Sequence, residues 1–236
     1  MADPVLWAAL STGFLLGLAH ATDADHVAAV SALVSRHRNI GRAAKLGLFW
    51  GLGHAVTLIV FGGLVLALRI VVPSAVAQAL EFLVGVMLVF LGVHVARDLW
   101  RTRLHRHGHQ HPGGDQHAHL HGHEPEEAKE HGHHHLASFS VGLLHGFAGT
   151  AALVLLALAS VRDPLLGAAY IVLFGFGATA GMVVLSLAVG TPVAIFSASH
   201  RVQVGVRGAA SLASMVLGVL IMVEIGWAQG LLRNLA

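Results

Sequence analysis

The sequence predicts an all-α integral membrane protein of about six transmembrane helices, arranged as two inverted three-helix repeats. Three observations carry that prediction. Of 236 residues, 56% are hydrophobic and 11% charged, with mean hydropathy +0.73, whereas soluble domains carry about 25% charged residues. The apolar residues gather in six runs, 4–33, 46–68, 75–98, 138–160, 165–190 and 206–232, each near the ~20 residues that cross a bilayer as a helix. Short matches also recur at a nearly constant spacing: "GLAH" (17–20) with "GLLH" (142–145), and "WGLGHA" (50–55) with "FGFGAT" (174–179). An odd number of spans per copy makes the second copy enter from the opposite side, as in many secondary transporters, whose substrate sites lie at midplane.

The first run is too long for one straight span, so it tilts, breaks or ends in an interfacial piece. It contains "HATDADH", residues 20–26, with His20, Asp23, Asp25 and His26 in seven positions. On a helix of 3.6 residues per turn, His20, Asp23 and His26 share one stripe and Asp25 points away. Either Asp25 orients a ligand histidine through its other ring nitrogen, or the helix opens near 21–25, which a membrane tolerates where backbone lines a cavity or is buried in protein. The competing explanation is a helix end capped by Asp23 or Asp25. It leaves the flanking histidines unexplained.

The second run carries His54 after Gly51 and Gly53. Its counterpart in the second copy is Ala178, so the shared backbone does not require a histidine, and the ligand reading is favoured. The third run carries Glu81 and His94. Residues 100–137 then form a low-complexity segment with twelve of the 19 histidines. It holds nothing to bury, so disorder is expected, with loose multi-site binding of late first-row metals by imidazole. The fourth run carries His145, counterpart of His20, followed by the small residues of "GFAGTAA"; ligand and packing readings both stand. The sixth carries Glu224. Glu81, His94 and Glu224 fit pairing, proton relay or local hydrogen bonding equally. The expected organisation is a first three-helix repeat (1–99), a histidine-rich loop (100–137) and a second repeat (138–236).

Ionisable groups inside spans cost about 2.5–3.5 kcal/mol each on insertion scales, so their default reading is functional. The donors are imidazole and carboxylate. There is no cysteine, which removes disulfides and thiolate sites. Such donors suit Ni, Co, Zn, Cu and Fe and disfavour Cu(I). Eleven Lys and Arg fall in 36–45, 97–129 and 201–207, against Arg69, Arg162 and Arg233 elsewhere. The positive-inside rule then sets both termini outside and the histidine-rich loop in the cytoplasm of a plasma (inner) membrane. The N-terminus does not read as a signal peptide, since Asp3 is the first charge. The basic residues form no nucleic-acid-sized patch.

The motif "HATDADH" resembles the His-x4-Asp-His signature of the nickel/cobalt transporter family, with Thr22 where many members carry an aromatic residue. "LFWGLGHAVTLIV" (48–60) is similar to that family's second signature, and "LLHGFAGTAALVLL" (143–156) to its shorter urease-accessory or nickel-permease-like members. The resemblance implies passage of Ni2+ or Co2+ through a membrane, with His20, Asp25, His26 and His54 selecting the ion and Asp23 in the same motif. Six spans in place of the eight of many members, and a long histidine loop like that of the exporters, leave direction open.

The expectation is therefore a transporter of Ni2+ or Co2+ with ligands His20, Asp23, Asp25, His26, His54 and His145. The ion is substrate, and no cofactor and no enzymatic activity are expected. Uptake is slightly favoured over export by proton antiport. The partners are the ion, the bilayer and, as a candidate, a cytoplasmic metallochaperone. A metal-dependent membrane enzyme would need an open coordination position and a cleft, and neither His-Glu-x-x-His nor paired histidine boxes occur outside the loop. A non-transporting sensor is the other rival; it would depend on the loop.

Overall fold

The computed structural model describes residues 4–37, 39–70, 72–103, 109–110, 116–117, 133–147, 164–196, 199–229 and 231. These are nearly all helical: α1 (Pro4–His20), α2 (Ala24–Val34), α3 (Ile40–Leu68), α4 (Ser74–Arg103), α5 (His133–Gly146), α6 (Pro164–Ile195) and α7 (His200–Val223), which passes into a π-helical turn at Glu224–Ala228. Within the histidine-rich segment the described residues include an antiparallel pair of two-residue strands, β1 (His109–Gln110) and β2 (Gln116–His117). Helices also enter that segment from both ends. The rest of it, and residues 148–160 of the expected fourth span, lie outside the described residues.

Among the described residues, four helices are long and apolar enough to cross a membrane: Ile40–Leu68, Ser74–Arg101, Leu165–Ile195 and Arg201–Trp227. Large apolar side chains such as Phe90, Phe176, Val60 and Leu212 stand exposed on them. A surface of that kind belongs against acyl chains rather than water, and the chain is a multi-pass membrane protein. The first apolar run is broken rather than tilted. After His20 the backbone leaves the helix at Ala21–Asp23, because the Ala19 and His20 carbonyls are taken by the N–H groups of Thr22 and Asp23 at 2.9 and 3.1 Å. The Thr22 hydroxyl also donates to the Ala19 carbonyl, at 2.6 Å. Asp23 is extended (φ −60°, ψ 149°), and α2 starts afresh at Ala24.

Helix packing rests on close backbone approach. A Cβ on Gly17 would strike the Phe174 carbonyl, and one on Gly177 the Phe14 carbonyl, so α1 and α6 touch main chain to main chain. The α3–α5 crossing matches it: Gly53 lies on the Phe139 carbonyl and Gly142 on the Trp50 carbonyl. Phe14 and Phe139, Gly17 and Gly142, Trp50 and Phe174, and Gly53 and Gly177 stand 125, 125, 124 and 124 residues apart. Contacts fix the directions too. Gly13 meets Tyr170 and Gly181 meets Ala21, so α1 and α6 are parallel. Ser138 bonds the Leu46 carbonyl at 2.8 Å and Gly146 packs on Thr57, so α3 and α5 are parallel. Helix α3 runs antiparallel to α6, with Ala43 at Gly190 and Gly62 at Ile171, and α4 antiparallel to α7, with Gly85 at Gly218 and Gly92 at Ser211.

At one end of the bundle Asp98 of α4 accepts from Arg36, just beyond α2, at 3.0 Å and from Arg207 of α7 at 2.9 Å. That end gathers the segments following α2, α4 and α6.

Candidate metal centre

The break after His20 lets the seven-residue motif face one point. With residues 21–23 out of the helix, His20 closes α1 and His26 lies in the first turn of α2, their ring centroids 4.5 Å apart. His54 reaches them from the middle of α3, with centroids 5.3 Å from His20 and 5.4 Å from His26. His145, in the last turn of α5, stands 4.1 Å from His26 and 6.1 Å from His54. Four histidines from four helices thus share one buried cluster, with His26 and His145 at 0% exposure and His54 at 1%.

The carboxylates orient the rings. Asp23 Oδ2 accepts from His20 Nδ1 at 2.7 Å. Asp25 bridges two helices: Oδ1 accepts from His26 Nδ1 and Oδ2 from His145 Nε2, each at 3.0 Å. A carboxylate can only accept here, so these bonds set the tautomers. The opposite nitrogens, His26 Nε2 and His145 Nδ1, then carry lone pairs. Both are buried without a hydrogen-bond partner, as are both nitrogens of His54. Buried polar atoms are normally paired, and lone pairs converging in a dry site are what a cation requires. Ligand atoms of His20, His26 and His54 lie within 4.8 Å of one another, and so do those of Asp25, His26 and His145.

Two aromatic rings close the cluster. Trp50 stacks on His26 (5.6 Å, 13°) and leans on His145 (5.6 Å), while Phe174 flanks His20 at 5.5 Å. Sequence reasoning passed over both. The signal was present, for Trp50 precedes His54 by four residues, on the same helical face, and Phe174 is its counterpart in "FGFGAT".

All six expected ligands therefore meet, with Asp23 at the edge, its side chain 45% exposed. Asp25 both faces the centre and orients rings, so the two alternatives left open for it are not exclusive. Asp23 occupies the cap position of α2, yet its side chain makes no cap hydrogen bond; the capping explanation fails for it. His94 is exposed and stacks on Phe90, Glu81 is half-buried and Glu224 exposed. None of the three belongs to either ligand group.

Comparison with known proteins gives a family and a relative. The family of NicO, described as high-affinity nickel-transport protein, matches residues 6–230. The chain is similar to the urease accessory protein UreH of Bacillus sp. (strain TB-90), with 33% identity over 224 residues, covering 95% of this chain and 94% of the relative. No solved structure matches.

Proposed function

The chain belongs to the NicO family of high-affinity nickel-transport proteins, and from that premise we propose that it carries Ni2+, and Co2+ with it, through the His/Asp cluster. The observation that carries the proposal is the set of buried, unpartnered nitrogens on His26, His54 and His145. The ion sheds part of its water and takes His20, His26 and His54, with carboxylate oxygen completing the set. His20 is held by Asp23 through Nδ1, which makes Nε2 its ligating atom. Two carboxylates balance the two charges of the ion, which matters because an uncompensated charge in low dielectric is very costly. Imidazole donors favour Ni2+ and Co2+ over Mg2+ and Ca2+, which take oxygen.

The architecture we infer is two inverted three-helix halves, 1–99 and 138–236, joined by the segment 100–137. Its support is the matching of the α1–α6 and α3–α5 crossings at offsets of 124 and 125, together with the helix directions. Both termini then lie outside. The basic end held by Arg36, Asp98 and Arg207 faces the cytoplasm, as the positive-inside rule requires. The histidine-rich segment buffers the ion on that side, where a metallochaperone is the natural recipient. Uptake is the direction we favour, on the likeness to a protein named as a urease accessory.

The test is flux of Ni2+, Co2+ and Zn2+ into proteoliposomes, with and without a pH gradient, for the wild type and His20→Ala. Metal-dependent flux lost in the variant supports the reading. Equal flux in both, at equal reconstitution, overturns the site. In cells, less internal nickel than in a deletion strain reverses the direction to export.

A further inference from the structure

The cluster has more donors than one ion in a four-coordinate site can use, and they fall into two groups that share one residue. His20, His26 and His54 form the first; Asp25, His26 and His145 form the second. The rings of His20 and His145 each approach His26, at 4.5 and 4.1 Å, from different helices. We propose that a single ion occupies these two positions in succession, and that His26 holds it through the exchange. The proposal rests on the transport reading above.

Three features support it. First, the two positions are counterparts: His20 and His145 stand 125 residues apart, and the aromatic beside each, Phe174 and Trp50, stand 124 apart. Helices α1 and α5, which carry the two histidines, run in opposite directions, since each is parallel to one member of the antiparallel α3–α6 pair. An inverted pair of donors faces opposite sides of the membrane. Second, the flanking aromatics differ in level. Gly175 packs on Ala55, so Phe174 lies beside residues 55–56 of α3, five or six residues beyond Trp50, roughly 8 Å at the helical rise. Third, the groups overlap at a single ring. Two dications that close, in low dielectric, repel strongly, so the positions are alternatives rather than a binuclear centre. Retaining His26 throughout spares the ion a fully stripped intermediate. Asp25 changes role between them: in the first position it accepts from His26 Nδ1 and orients the ring, and in the second its oxygen ligates once the His26 and His145 rings have turned their lone pairs toward it.

The proposal predicts a split between binding and turnover. In proteoliposomes, His145→Ala and His145→Gln, the latter keeping a donor for Asp25, lower Co2+ kcat roughly tenfold or more with KM little changed, the scale seen when a metal site loses one supporting contact. His20→Ala raises KM instead. In detergent, the visible ligand-field spectrum of bound Co2+ persists in His145→Ala. It persists with altered bands in His20→Ala/His54→Ala, where only the second group remains. It vanishes in His26→Ala, which also reports any contribution from the histidine-rich segment. A KM raised equally by His145→Ala and His20→Ala means one undivided site and overturns the proposal. So does loss of all Co2+ bands in the double variant while His145→Gln remains folded. Absence of flux in the wild type overturns the transport reading instead, and the spectra still decide between one position and two.

Discussion

The α4–α7 pair and the cluster between α1, α2, α3 and α5 are both polar regions in an apolar chain, and they use polarity in opposite ways. Between α4 and α7 the serines are buried and paired. Ser211 donates to the Gly92 carbonyl at 2.8 Å, and Ser214 to the Leu88 carbonyl at 2.7 Å, while Gly85 and Gly218 bring the backbones together. Hydroxyls across a crossing of small residues hold membrane helices to one another. Around His26 the orientation is equally fixed, by Asp23 and Asp25, yet the nitrogens opposite those bonds stay unpartnered. A satisfied polar group in a membrane serves as scaffold, whereas one that is oriented and left unsatisfied calls for a functional explanation.

The comparison breaks most sharply at His26. His26→Ala takes flux down to that of protein-free liposomes while the detergent-solubilised protein still elutes as a folded species; appreciable flux, or collapse of the fold, would make His26 scaffold. Next is Asp25→Asn. It replaces the acceptor that sets two tautomers, and loss of such a partner costs roughly 10–100-fold in metal affinity. Equilibrium Co2+ titration checks this, and Asp23→Asn, on a half-exposed residue bonded to one ring, loses less. Acid comes third. A ligating histidine must be neutral, so protons compete with metal. Affinity falls as acid protonates the ligand histidines. Equilibrium Co2+ titration against pH reads the loss, and affinity unchanged until the protein unfolds would remove imidazole from the ligand set.

The scaffold side predicts smaller effects. Ser214→Ala lowers stability by about 0.6 kcal/mol, the average for a hydrogen bond between membrane helices, with KM for Co2+ unchanged. A shift in KM would tie α4–α7 to the site. Smallest of all, removal of residues 105–132 leaves the initial flux rate unaltered, since none of the described donors of the cluster lies in that segment. Loss of basal flux would make the segment part of the transport path or the core of a sensor.

Much of this was legible in the chain. The spans encompassing α3, α4, α6 and α7 follow from runs of apolar residues, which only helices can carry through lipid. His20, Asp25, His26 and His54 stood out because ionisable residues are rare in such runs. His145 was harder: its helix face is ordinary, and only its place opposite Asp25, 120 residues away in sequence, brings it into the cluster. Trp50 and Phe174 read as two more apolar residues until their rings were found against the histidines. Glu81, His94 and Glu224 carry the same sequence signal as the cluster residues and lie elsewhere, because rarity identifies a costly residue and not its neighbours.

The sequence by itself determined that the protein lives in a membrane, which donors are available to an ion, and that two halves echo each other. These are one-dimensional properties, set by hydropathy, residue type and spacing. Tertiary structure alone decided that the first run breaks at Ala21–Asp23, that Asp25 joins α2 to α5, and that two overlapping ligand groups meet on His26. The physical reason is that each depends on what comes to lie across a helix crossing. Glycines at 17, 53, 142 and 177 let the backbones approach, and that approach carries histidines more than a hundred residues apart to within reach of one ion.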